Sequence, residues 1–103
     1  MAEVALVVGL GRSGAAVARH LRDRGARVLA VDDAPDDAAR VAAAELALEL
    51  VEAPGAERLA DLVERADVVV PSPGVPLRHP VFRLAETAGV PVRSEVELAY
   101  RWS

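Results

Sequence analysis

The chain has 103 residues, a formal net charge of −4 and no cysteine. This length predicts a single domain over residues 1–103. The absence of thiols excludes a disulfide framework and a cysteine-ligated metal site. Every basic side chain apart from histidine is arginine, which excludes chemistry that depends on a lysine, such as a Schiff base or the lysine of a phosphate-binding loop.

Charge and hydropathy also limit the location and the partners of the chain. The arginines are spread over many predicted helix faces and form no basic stripe, so we expect no nucleic-acid partner. No apolar run approaches the roughly 20 residues that span a membrane. The N-terminal segment lacks the basic region of a signal peptide. We therefore expect a cytoplasmic protein without a membrane segment.

Short apolar runs alternate with helix-patterned segments along the chain. Strands are predicted at residues 4–8, 27–31, 47–51, 67–70 and 90–93. Helices are predicted at 15–24, from 36 to about 45, at 55–65, from Pro80 to a closing Gly89, and from a capping box of Ser94 and Glu97 onward. Five such units predict an α/β, Rossmann-like three-layer sandwich around a five-stranded parallel sheet of order 3-2-1-4-5.

A glycine-rich turn joins the first strand to the first helix at residues 9–14. Such a turn places free backbone N–H groups at the positive end of a helix dipole, which favours binding of a phosphate group. Gly9 would allow the tight turn, Gly11 the close approach of a phosphate, and Gly14 the contact between helix and strand. A purely structural glycine turn is the alternative.

Two side chains within this turn each have two possible roles. The N–H groups of Arg12 and Ser13 would be the phosphate donors. The Arg12 guanidinium either adds a charge-assisted hydrogen bond to phosphate or is simply solvated. The Ser13 hydroxyl either bonds phosphate or caps the helix.

Two further loops are predicted at the same edge of the sheet, where ligands of open α/β folds bind. Asp32 and Asp33 follow the second strand, at the position where dinucleotide-binding folds hold a ribose diol. The alternative is that one of them caps the next helix. Ser72 and Gly74 follow the fourth strand in a loop that contains three prolines, and they would face the crevice with a hydroxyl and an N–H. A rigid turn without a ligand is the alternative there.

Several segments, taken together, resemble a known family. They are the glycine turn at 9–14, Asp32-Asp33, Ser72-Pro73-Gly74-Val75, His79-Pro80, Ala85, Gly89-Val90-Pro91-Val92 and Glu95-Val96-Glu97-Leu98. In this order they resemble the N-terminal domain of the Mur ligases, and within that family the branch that adds D-glutamate. The likeness covers nearly the whole chain.

The resemblance implies a role in peptidoglycan biosynthesis. In this family the domain anchors the UDP part of UDP-N-acetylmuramoyl-L-alanine, while a central domain binds ATP and Mg²⁺ and a C-terminal domain brings D-glutamate. By position, the resemblance assigns the diphosphate to Arg12 and Ser13, the uridine end to Asp32 and Asp33, and the diphosphate–sugar region to Ser72 and Gly74.

The resemblance also implies what this chain would lack. It has no GxxxxGK[ST] loop, so the ATP-dependent, peptide-bond-forming step would belong to the missing domains of the parent ligase. We expect no catalytic residue, no metal and no cofactor in this part alone. Some relatives carry Thr-Arg where this chain has Asp33-Ala34, so a guanidinium contact with uracil would be absent here.

Two other functions are compatible with the same pattern. One is an NAD(P)-binding module of a dehydrogenase or regulatory sensor, in which Asp32 would hold the adenosine ribose. The other is a docking module that has no ligand of its own.

Overall fold

A computed structural model describes residues 3–94 of the chain. The described elements alternate between strands and helices: β1 (Val4–Val8), α1 (Arg12–Asp23), β2 (Arg27–Asp32), α2 (Asp37–Glu45), β3 (Glu49–Glu52), α3 (Ala56–Arg65), β4 (Val68–Pro71) and α4 (Pro80–Ala88). The strands form one parallel sheet of order β3-β2-β1-β4. The predicted fifth helix lies outside the described residues. No described helix has the length and apolar character of a membrane span.

The side chains of β1 alternate between two cores, one on each face of the sheet. Ala5 and Val7 pack in the cluster that contains the buried residues of α1 and α2. Leu6 and Val8 pack in the cluster that contains those of α3 and α4. Because both faces of the sheet are covered, the central strand β1 is a continuous apolar run. The predicted α/β three-layer sandwich is confirmed.

The predicted fifth strand is wrong as a strand, because it is reduced to a single parallel bridge between Val69 and Val92. The N–H of Val69 donates to the carbonyl of Pro91, and the N–H of Arg93 donates to the carbonyl of Val69, both at 2.9 Å. The next donors on either side would be the nitrogens of Pro71 and Pro91, which carry no hydrogen. The described sheet therefore has four strands, with the segment around Val92 beside β4.

Three helices end in the same backbone motif. Their left-handed residues after the last turn are Gly25 (φ +88°), Ala47 (φ +54°) and Gly89 (φ +70°). After α2, the N–H of Ala47 donates to the carbonyl of Ala44 and the N–H of Leu48 to that of Ala43. This pair of bonds defines a Schellman motif, in which glycine is the usual left-handed residue. Because no glycine marks the C-terminal end of α2, the sequence pattern predicted that the third strand begins at residue 47. In the structure, β3 begins at Glu49.

The N-termini of the helices also differ from the predicted bounds. The first helix begins at Arg12 and not at Ala15, with Gly11 as its N-cap residue. Asp36 and Gly55 are N-cap residues that precede α2 and α3. The last part of the glycine turn is therefore the first turn of α1.

An ion pair connects α2 to the end of β3. The Nη2 atom of Arg40 lies 2.8 Å from Oε1 of Glu52, and both side chains are about half exposed. The hydrogen bond from Arg40 lowers the pKa of Glu52 below its ordinary value, with a Coulombic contribution from the same guanidinium, while desolvation opposes it. The same carboxylate raises the pKa of Arg40. Exposed pairs of this kind contribute little stability.

Replacing Ala47 by glycine is expected to stabilise the fold. Relief of the left-handed strain, about 1–2 kcal/mol, is partly offset by the greater backbone entropy of unfolded glycine, about 0.5–1 kcal/mol. Urea denaturation of Ala47→Gly should show a net gain of about 0.5 kcal/mol. The control is Ala44→Gly, at an exposed helical position of the same helix, which should lose about 1 kcal/mol. A loss in Ala47→Gly would contradict this account.

The Arg40–Glu52 pair predicts a pH-dependent effect on stability. Because the pKa of Glu52 is lowered in the folded state, its contribution is present above the ordinary carboxyl pKa and disappears as the pH falls through the lowered value. Thermal melts of Glu52→Gln should show a small decrease in Tm at neutral pH and none in acid. Glu64→Gln, an exposed change on α3, is the control. An equal decrease at both pH values would argue against the ion pair.

Candidate functional site

The three loops singled out by sequence meet at one edge of the sheet. The N–H of Gly9 donates to the carbonyl of Val31 at 2.8 Å, and the N–H of Ser72 donates to the carbonyl of Val8 at 2.9 Å. A Cβ atom placed on Gly9 would lie 2.6 Å from the Oγ atom of Ser72. The glycine turn therefore lies between the end of β2 and the loop after β4, as the strand order requires.

The three glycines of the turn differ in what the protein itself requires of them. Gly9 has φ +87°, a conformation that favours glycine. A Cβ atom on Gly14 would collide with the carbonyl oxygen of Gly9, so only glycine lets α1 start so close to β1. Gly11 is extended (φ −81°, ψ −163°), and a Cβ atom there would contact no atom within 4 Å. The protein thus needs Gly9 and Gly14, whereas the space beside Gly11 is open.

The first turn of α1 follows directly on Gly11 and has backbone N–H groups without a partner among the described residues. The N-cap residue Gly11 makes no side-chain cap hydrogen bond, and the first helical bond is from the N–H of Ala15 to the carbonyl of Gly11. In the described part of the chain, the N–H groups of Arg12, Ser13 and Gly14 have no hydrogen-bond acceptor. These are donors that a helix start leaves for a ligand or water.

The two side chains of this turn are placed as follows. Ser13 is the second residue of α1 and not its cap, so the capping alternative is wrong. Arg12 is exposed, and no ion pair joins it to another described residue. It also lines a groove of about 570 Å³ between α1 and α2, together with Arg19 and Asp36. Arg12 is therefore available to an anion at the glycine turn.

Asp32 is a structural partner of the glycine turn. Its Oδ2 atom accepts the N–H of Leu10 at 2.9 Å, and its Oδ1 atom accepts the N–H of Ala34 at 3.0 Å. Neither Asp32 nor Asp33 caps α2, because Asp36 accepts the N–H of Ala39 in that role. The capping alternative for the first two aspartates is therefore wrong.

Asp33 lies next to a residue to which sequence analysis gave no role of its own. Its Oδ2 atom is 2.8 Å from Nε2 of His79, whose ring is 11% exposed. The other ring nitrogen of His79 accepts the N–H of Val81 at 3.1 Å and caps α4. The only local signal was the His-Pro pair at a helix start, because Asp33 and His79 are 46 positions apart. No group of three or more metal-ligating side chains occurs among residues 3–94.

The loop after β4 consists of two successive turns. The N–H of Val75 donates to the carbonyl of Ser72, and the N–H of His79 donates to the carbonyl of Pro76. The hydroxyl of Ser72 lies at the glycine turn. Gly74 is at the exposed tip of the first turn, and the atoms that approach Gly9 belong to Ser72 and Val75. Of the two residues predicted in this loop, the structure brings Ser72 and not Gly74 against the glycine turn.

Substitution of the glycines should separate those that the fold requires from the one that it does not. Gly14→Ala is expected to destabilise the chain by about 2–3 kcal/mol, because its Cβ meets backbone that cannot move freely. Gly11→Ala should cost less than about 1 kcal/mol, the usual loss for an N-cap residue. Chemical denaturation of both variants provides the comparison. Equal losses would show that the close contact at Gly14 does not constrain the helix.

Comparison with known proteins identifies relatives at the level of sequence. Residues 3–94 match the model of the family described as Mur ligase MurD-like, N-terminal domain. The UDP-N-acetylmuramoylalanine–D-glutamate ligase of Trichlorobacter lovleyi is 45% identical over 97 residues, covering 93% of this chain and 22% of that protein. The ligase of the same name from Frankia casuarinae is 48% identical over 101 residues, covering 94% and 20%. The chain thus spans about a fifth of the length of these relatives.

Solved structures show the same fold. A pseudomurein peptide ligase type C from Methanothermus fervidus matches with a TM-score of 0.78 at 18% identity, over 95% of this chain and 20% of that one. D-Lactate dehydrogenase of Salmonella matches with a TM-score of 0.63 at 28% identity, over 90% and 27%. The fold is thus shared by ligases and dehydrogenases, whereas the sequence match is specific. On that match, the chain belongs to the MurD-like Mur ligase family and corresponds to its N-terminal domain.

Proposed function

We propose that this domain anchors the UDP part of UDP-N-acetylmuramoyl-L-alanine in a ligase that adds D-glutamate. The names of the relatives supply the substrate. The observation that carries the proposal is the set of N–H groups of Arg12, Ser13 and Gly14, which have no acceptor among the described residues and directly follow Gly11, whose Cβ position is open. An anionic diphosphate is the ligand that such a helix start favours.

The phosphate end combines three kinds of donor. The N–H groups of α1 provide fixed dipoles that require no reorganisation when a phosphate arrives. The exposed Arg12 guanidinium adds charge and forms bidentate hydrogen bonds to phosphate oxygens. The Ser72 hydroxyl, held at the turn beside Gly9, adds a donor from the opposite wall, and the Gly74 N–H is assigned to the sugar side of the diphosphate.

The uridine end is assigned to Asp32 and Asp33. Uracil presents an imide N–H, and a carboxylate oxygen is a suitable acceptor for it. Each oxygen of Asp32 already accepts one backbone N–H and retains a second lone pair. Asp33 uses Oδ2 for His79 and has Oδ1 for a ligand. Both carboxylates are therefore compatible with a base at the end of β2.

The chemical step is assigned to the rest of the ligase. In that step ATP phosphorylates the alanine carboxylate, and the amine of D-glutamate attacks the acyl phosphate and releases phosphate as the peptide bond forms. The ATP and Mg²⁺ sites and the D-glutamate site are assigned to central and C-terminal domains, because this sequence has neither lysine nor the GxxxxGK[ST] loop that binds ATP.

Parallel titrations test the assignment. Amide NMR spectra of the chain are recorded with UDP-N-acetylmuramoyl-L-alanine, UDP and NAD⁺, since chemical shifts report weak binding. We expect the muramoyl nucleotide and UDP to shift the amide signals of Arg12, Ser13 and Gly14. A response to NAD⁺ alone would favour the dinucleotide module, for which the fold shared with D-lactate dehydrogenase is the supporting observation. No response to any of the three would favour a docking module.

Substitution of Gly11 is expected to block the phosphate without unfolding the domain. In Gly11→Val the new side chain enters the open space in front of the helix and should raise the Kd for UDP by about tenfold or more, equivalent to about 1.4 kcal/mol. Gly55→Val is a matched control, because Gly55 is also an extended N-cap residue with no atom within 4 Å of its Cβ position. Equal affinities of the two variants would remove the glycine turn from the site.

A further inference from the structure

A side-chain hydrogen bond joins the two loops that flank the glycine turn. Asp33 follows β2 and His79 precedes α4, yet their side chains meet at 2.8 Å. In the sheet, β1 lies between β2 and β4, and neighbouring strands are about 4.8 Å apart. The bond therefore spans the end of β1, where the glycine turn begins. We refer to the pair of Asp33 and His79 as the clasp.

The hydrogen bonds of His79 define the direction of the clasp. Its Nδ1 atom accepts the N–H of Val81, so that nitrogen carries no proton. In the neutral ring the proton is then on Nε2, which donates to Oδ2 of Asp33. The helix cap and the clasp therefore require the same tautomer of His79. In that tautomer both nitrogens of the largely buried ring are hydrogen-bonded.

The two ends of the clasp differ in rigidity. His79 belongs to a loop with prolines at 71, 73 and 76 and two successive turns, and its ring is 11% exposed. The Asp33 side chain is 61% exposed, and the backbone after Asp32 forms only bends. The clasp consequently attaches an exposed carboxylate to a rigid support and removes rotamers that it would otherwise sample.

We propose that His79 is a positioning residue that holds Asp33 and thereby pre-forms the base-binding end of the crevice for a pyrimidine nucleoside diphosphate. The inference rests on the proposed function and adds to it a residue from outside the glycine turn. Because the clasp lies at the Asp33 end, it affects recognition of the base. The diphosphate, held by the amides of α1, does not depend on it.

The test uses variants that separate the clasp from the helix cap. In His79→Asn the shorter amide still accepts the Val81 N–H as an N-cap but does not reach Asp33. Asp33→Ala removes the acceptor from an exposed position. Asp61→Ala is the matched control, because it removes a carboxylate of similar exposure from α3, outside the crevice. Binding of UDP and of inorganic pyrophosphate to the chain is measured by amide NMR titration.

We expect His79→Asn and Asp33→Ala each to raise the Kd for UDP about fivefold, equivalent to about 1 kcal/mol, with the Kd for pyrophosphate unchanged. Asp61→Ala should bind UDP as the unaltered chain does. Since both weakened variants break the same bond, the double variant should be no weaker than either single variant. Such non-additivity is the result that a merely structural histidine would not produce.

Three results would overturn the inference. An unchanged Kd for UDP in His79→Asn and Asp33→Ala would show that the clasp does not position the base end. Equal weakening of UDP and pyrophosphate would show a general structural role. Additive effects in the double variant would show that the residues act independently. If the unaltered chain binds no UDP, the proposed function fails as well, whereas these three results leave standing the binding of the diphosphate at the glycine turn.

Discussion

The close contact between Gly14 and the carbonyl of Gly9 is the constraint on which the site depends. A side chain at Gly14 would collide with that carbonyl, so its absence lets α1 begin directly against the end of β1. The N–H groups of Arg12 and Ser13 then lie at the edge where β2 and β4 also end. Asp32 reinforces the arrangement from the neighbouring strand by accepting the N–H of Leu10.

Charge placement gives α1 a different environment from its neighbours. Helices α2 and α3 carry Asp37 and Glu57 in their first turns, where negative charge compensates the helix dipole. The first turn of α1 has no acidic residue, and its N-cap residue Gly11 provides no side-chain cap. A chain with a net charge of −4 thus retains a local positive field at Arg12. The positive field at this edge arises from backbone geometry and one guanidinium, not from overall charge.

Local sequence patterns predicted the features that depend on local chemistry, and they missed those that do not. Apolar runs predicted β1, β2 and β4 because both faces of a parallel sheet are buried. The start of β3 was missed because Ala47 occupies a position where glycine normally marks a helix end. The fifth strand was overpredicted because the apolar pattern does not reveal that the missing N–H groups of Pro71 and Pro91 interrupt the ladder. The glycine turn was predictable, but the clasp joins distant residues and left no pattern.

The division between the two ends of the crevice explains why the glycine turn alone does not specify a function. Amides at a helix start bind phosphate whatever is attached to it, and the same fold occurs in a ligase and in a dehydrogenase. What distinguishes one nucleotide from another must therefore come from the loops after β2 and β4. In this chain the carboxylates after β2 already have partners within the protein: Asp32 is hydrogen-bonded on both oxygens, and Asp33 is hydrogen-bonded to the largely buried ring of His79. In the proposed function, such a preorganised base end lowers the entropy that nucleotide binding must overcome.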